Sequence, residues 1–156
     1  MAAMKHLLIV YHTQSGNTRR LADAVLEGAT DELLTDVEVR YRTAHEAGPD
    51  DLLWADGLLL GTPENFGYMS GAMKDFLDRT FYQVEGKILS LPYAVFISAG
   101  NDGSGALRAI RRIANGYPFK EVQDPIIAQG EISDEKIEQC RELGMTLAAG
   151  LEAGIF

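Results

Sequence analysis

Five short apolar runs, each followed by a stretch with helical spacing, constrain this chain more than any other feature. Residues 7–11 (Leu-Leu-Ile-Val-Tyr) form an unbroken apolar run of strand length, as expected for a strand buried on both faces. Leu21, Ala22, Val25, Leu26 and Ala29 then recur at helical spacing, which predicts a helix from Asn17 to about residue 34. Residues 37–41 alternate like a strand with one wet face, and Gly48-Pro49-Asp50-Asp51 punctuates before a short helix over 50–55. Residues 57–61 read as a second buried strand, followed by a helix over 70–82 striped with Met69, Met73, Phe76, Leu77 and Phe81. Residues 93–98 are the fourth strand. Leu107, Ile110, Ile113 and Ala114 mark a helix ending near Asn115-Gly116, where Gly116 suits a C-cap. Val122 with residues 126–128 makes a broken fifth strand. Ser133 is the expected N-cap of a last helix with Ile137, Cys140, Gly144, Leu147, Ala148 and Leu151 on its buried stripe.

Strand and helix alternating five times imply an α/β fold with a parallel sheet covered on both faces. At 156 residues, without linker or repeat, residues 1–156 are expected to be one domain. Met1-Ala2-Ala3-Met4 looks dispensable. In such sheets ligands bind beyond the C-terminal strand ends, at the switch point. Three loops leave the sheet there, 13–18, 62–70 and 98–105, all rich in Gly, Ser, Thr and Asn.

Charge narrows what these loops can hold. Lys and Arg number 14 against 23 Asp and Glu, a formal net charge of −9. That disfavours nucleic acid and anionic lipid as partners. No apolar run reaches membrane-spanning length. A single cysteine, Cys140, allows no internal disulfide and points to a reducing, cytoplasmic setting. Cys140 itself is expected in the core. His6 and His12 have no carboxylate pattern around them, so no metal site is expected.

In the first loop, Thr13, Gln14, Ser15, Gly16, Asn17 and Thr18 carry strand into helix. Three hydroxyls within six residues, a glycine for a tight turn and the N–H groups of a first helical turn make a phosphate cradle without a lysine. Helix capping is the plainer reading. The loop lacks the lysine of a triphosphate loop and the three glycines of the dinucleotide fingerprint, so a terminal monophosphate ester suits it best. Arg19 and Arg20 oppose the helix dipole in the first turn, which is unfavourable unless an anion is near. Arg108, Arg111 and Arg112 read as a solvated helix face with carboxylate partners.

Ile9-Val10-Tyr11, Thr13, Gly16, Thr18, Ala22 and Val25 match the FMN-phosphate signature of the flavodoxin type. The resemblance covers about residues 5 to 151. It implies a flavodoxin-like three-layer sandwich, a five-stranded parallel sheet of order 2-1-3-4-5, with FMN at the switch point; flavodoxin is itself the standing example of that rule. The stretch from Gly61 to Asp78 resembles the WrbA-type NAD(P)H:quinone oxidoreductases and the wider NADPH-dependent FMN reductases. By that resemblance Pro63, Glu64, Asn65, Phe66 and Gly67 line the flavin, although Asn65 stands where the family has a basic residue. Ser98, Ala99, Gly100, Asn101, Asp102 and Gly103 would present backbone N–H groups to flavin N1 and O2. Tyr117 and Phe119 are candidates for an aromatic wall.

The resemblance implies hydride transfer from NAD(P)H through FMN to a small quinone-like acceptor, with no catalytic side chain singled out because the cofactor carries the chemistry. A flavodoxin-type electron carrier for a protein partner and a non-catalytic module of the same fold are the alternatives. A homo-oligomer, a dimer or higher, is expected from the resembled enzymes and from an exposed patch of Phe66, Tyr68 and Met69.

Overall fold

A computed structural model describes residues 3–156; the first two residues of the tetrapeptide Met1-Ala2-Ala3-Met4, expected to be dispensable, lie outside the described residues. The core strand β1 (Lys5–Tyr11) sits between β2 (Val37–Thr43) and β3 (Gly57–Asn65). On the far side of β3 lies β5 (Leu91–Ala99), and all these pairings are parallel. The edge beyond β5 is shared by two short strands. β6 (Phe119–Glu121) pairs with its start and β7 (Ile126–Gln129) with its end. The order is therefore the expected 2-1-3-4-5, with the fifth place split in two.

The alternation of side chains in β1 explains the layers. Leu8 and Val10 point into one core, covered by α2 (Pro49–Trp54), α3 (Gly71–Val84) and α4 (Ser104–Gly116). Leu7, Ile9 and Tyr11 point into the other, covered by α1 (Asn17–Ala29) and α5 (Asp134–Glu152). Because the chain leaves β1 for α1 on one face and β3 for α3 on the other, a crevice opens between the loops that follow β1 and β3. Cys140 lies fully buried on α5, and burial pushes its thiol up to about 12, which leaves it unreactive.

Several boundaries differ from the sequence expectation. α1 stops at Ala29, not near residue 34. There Thr30 donates its hydroxyl to the Leu26 carbonyl, and Asp31 accepts the Leu33 N–H in a local turn that competes with the helix. α4 includes Gly116 as its last residue; Tyr117 caps it, and Pro118, which has no N–H, cannot continue it. The stretch after residue 61 is the largest correction. β3 runs on to Asn65 and pairs antiparallel with β4 (Tyr68–Met69), so a hairpin stands where a loop was expected. Thr62 holds its base: its buried hydroxyl accepts the Ser70 N–H and donates to the Pro63 carbonyl. Tyr117 and Phe119 form no wall at the crevice. Phe119 pairs with Leu91 at the opposite end of β5, and the Tyr117 hydroxyl bonds Thr80 at 2.9 Å and the Leu77 carbonyl inside the core.

Candidate functional site

At the C-terminal ends of β1, β3, β5 and β7 lies a cavity of ≈ 640 Å³. That is the size of an ordinary small-molecule or cofactor site. Nine of the residues singled out from sequence line it: Gln14, Ser15, Asn17, Pro63, Glu64, Asn65, Ser98, Ala99 and Gly100. Four others complete the wall: Arg20, Gly130, Glu131 and Ile132. The last three follow β7, a fourth loop at the same sheet end. The strand at 126–128 is legible in the sequence, but Gly130, Glu131 and Ile132 after it lack the run of Gly, Ser, Thr and Asn that marks the other three loops. Arg20 carried a signal, a cation set against the helix dipole, and it is the cation in the cavity wall.

The remaining candidates shape the loops from outside the cavity. The Thr13 hydroxyl accepts the Gly16 N–H at 3.0 Å. Gly16 opens α1 with φ of 101°, a backbone conformation that favours glycine. Thr18 is buried, its hydroxyl paired with that of Ser98 at 2.7 Å, so it ties β5 to α1. The Asp102 carboxylate accepts the N–H and hydroxyl of Ser104 and caps α4; these bonds hold its carboxyl below the usual range. Gly103 precedes α4 at φ 74°, and a Cβ there would stand 2.6 Å from Ile127 Cγ2. Asn101 is exposed. A 3.1 Å bond from the Asn65 amide to Gln14 joins the first loop to the second.

Helix termini differ in one respect that bears on the cavity. Ser70 caps α3 and Ser133 caps α5 through their hydroxyls, while Glu64 and Asp102 serve α4. α1 has no side-chain cap and no acidic residue in its first turn. Its N-terminal N–H groups and the positive end of its dipole are left for something else. The residues present therefore fit a phosphate ester in the cavity mouth, held by backbone donors with Ser15, Asn17 and Arg20 around it.

His12, next to Thr13, is perturbed by the same crowding. Its Nδ1 is buried and finds no partner among the described residues, its ring meets the His45 ring edge-on at 5.7 Å, and desolvation followed by repulsion from His45 lowers its pKa from the ordinary imidazole value. No group of three or more metal-ligating side chains occurs among the described residues.

Phe66 and Gly67 form the hairpin tip, both at positive φ (51° and 70°), as a two-residue turn of type I′ requires. Phe66 is fully exposed there, and Tyr68 is exposed beside it, whereas Met69 is buried, so the apolar patch is smaller than expected. An L-residue in this conformation costs about 1–2 kcal/mol, and asparagine tolerates it better. Phe66→Asn is therefore expected to stabilise the ligand-free chain by about 0.5–1 kcal/mol in urea denaturation. A loss of stability would mean that the ring packs in solution.

The chain is 34% identical over 161 residues to a flavodoxin of Aquifex aeolicus (strain VF5), spanning 93% of this chain and 86% of the relative. The chain belongs to the flavodoxin-like family. Within that family, the model described as NADPH-dependent FMN reductase matches residues 46–118. These residues include the hairpin, α3 and α4. An NAD(P)H dehydrogenase (quinone) of Syntrophus aciditrophicus (strain SB) is 29% identical over 172 residues, covering 92% of this chain and 84% of that one. Among solved structures, a flavodoxin from the domain Archaea superposes with a TM-score of 0.79 at 22% identity, covering 94% and 98% of the two chains. The flavodoxin-like fold thus agrees with strand order and layers alike.

Proposed function

We propose that this chain is an FMN-dependent NAD(P)H oxidoreductase that reduces a small quinone-like acceptor. The observation that carries the reading is the uncapped N-terminus of α1 at a cofactor-sized cavity in a flavodoxin-like fold. FMN, when bound, supplies the hydride acceptor and donor. The chain's own residues bind and orient it. In this reading the α1 N–H groups, Ser15, Asn17 and Arg20 hold the phosphate. Pro63, Asn65 and the backbone from Ser98 to Gly100 flank the ring. Phe66 and Gly67 border the open side where NAD(P)H and the acceptor bind in turn. The relative named a quinone dehydrogenase and the reductase family model both support a small-molecule partner.

A carrier that hands electrons to a protein partner is the second reading, favoured by the Aquifex relative's name and the net charge of −9. The test is anaerobic. FMN-saturated protein should be yellow and should bleach within seconds of adding NADH or NADPH, then recolour with a quinone. Colourless protein after saturation overturns the cofactor. A flavin that bleaches with dithionite but not with either nucleotide turns the reading to the carrier. A cytoplasmic, self-associating protein goes with the proposal, the exposed Phe66 and Tyr68 giving a contact patch. No helix among the described residues is long and apolar enough to cross a membrane.

A further inference from the structure

The hairpin and the head of α4 are fastened at one point. The Glu64 carboxylate oxygen Oε2 accepts the N–H groups of Gly105 and Ala106 at 3.0 and 3.1 Å. These are orphan donors of the first turn of α4, at the positive end of its dipole. The residue that opens α4 is Gly103, which has no side chain to cap it, so much of the cap is delivered from 41 residues away. Gly105 completes the joint from the other side. A Cβ there would stand 2.0 Å from the Gly67 carbonyl oxygen, so the hairpin tip lies directly against the helix. Glu64 also lines the cavity, with Pro63 and the loop from Ser98 to Gly100, and Pro63 is the register partner of Ser98.

We propose that Glu64 is a positioning residue whose carboxylate locks the β3–β4 hairpin to the α4 head and so fixes the width of the cavity between them. The inference rests on the reading that this cavity holds FMN. Its chemistry is a charge-assisted double hydrogen bond, the strong kind. Without it the hairpin and the third loop lose their common reference, and a ligand must order both on binding. One oxygen of Glu64, Oε2, is engaged by backbone. Oε2 takes both bonds, and a glutamine oxygen in the same place can take both as well.

Two readouts test this, one needing no flavin. In the ligand-free chain, Glu64→Ala should speed amide hydrogen exchange at Gly105 and Ala106 by about tenfold or more, as expected when a charge-assisted bond to each is lost. The FMN dissociation constant should rise by about tenfold or more in the same variant. Glu64→Gln should restore protection at both amides and bring FMN affinity to within about threefold of the parent. Gly105→Ala keeps the carboxylate but pushes Gly67 away, and should also weaken FMN; it carries the test if Glu64→Ala does not fold. Unchanged exchange at Gly105 and Ala106 in Glu64→Ala overturns the proposal. So does a Glu64→Gln protein that protects the amides yet binds FMN as poorly as Glu64→Ala, since the charge would then act on the ligand directly. A parent protein that binds no FMN would instead overturn the cofactor assignment and leave the exchange result standing.

Discussion

Asn17→Asp is expected to stabilise the ligand-free chain and to abolish tight FMN binding, two effects of opposite sign from one carboxylate. Asn17 is the first residue of α1 and lines the cavity. The first turn of α1 holds no acid, and Arg19 and Arg20 there oppose the dipole. A carboxylate at this position should add about 0.3–1 kcal/mol to the empty protein. A bound phosphate ester carries about −1.5 to −2 charges, and two unit charges some 4 Å apart near a protein surface repel by about 4 kcal/mol. FMN affinity should therefore fall by about 100-fold or more, with Asn17→Ser as the neutral control. Flavin fluorescence titration and a thermal melt of the apoprotein check the two arms. Unchanged affinity would remove the phosphate from α1. A lower apoprotein melting temperature would mean that Asn17 makes bonds in solution that the first turn depends on.

Gly144→Ala should cost the fold about 2–4 kcal/mol, more than most single changes. α1 and α5 cross at paired glycines. A Cβ on Gly144 would stand 2.0 Å from the Val25 carbonyl oxygen, and one on Gly28 1.9 Å from that of Arg141. The obstruction is backbone on both sides, so no rotamer relieves it; the helices must part. Glycine inside a helix is worse than alanine by about 0.5–1 kcal/mol, so both glycines stand against local propensity for the sake of the crossing. For a chain of this length the melting temperature should fall by about 5–15 °C. An unchanged or higher value would show that the two helices separate freely.

Much of this protein was legible because local physics and the fold agree. β1 reads as buried on both faces because Leu7 to Tyr11 must fill two cores at once. The first loop is legible for the same kind of reason. Gly16 is the residue its φ demands, and hydroxyls crowd a helix start. The hairpin was hidden. Its turn uses Phe66 where asparagine or glycine would have announced positive φ, so nothing local separates β3–β4 from a loop. Thr18 shows the limit in another way. From sequence its hydroxyl belonged to the phosphate cradle; folding brings Ser98 to it from 80 residues away.

By itself the sequence determined what depends on neighbours along the chain: five βα units, their period, the parallel sheet those units require, and a helix start open to an anion. Tertiary structure alone decided what depends on residues far apart meeting. The loop after β7 brings Gly130, Glu131 and Ile132 to the cavity, Glu64 caps a helix that begins 40 residues later, and Gly28 and Gly144 set how near α1 and α5 approach. The physical reason is that periodicity and capping are written in spacings of two to four residues, whereas a carboxylate's partner or a helix crossing is chosen only when the sheet has assembled.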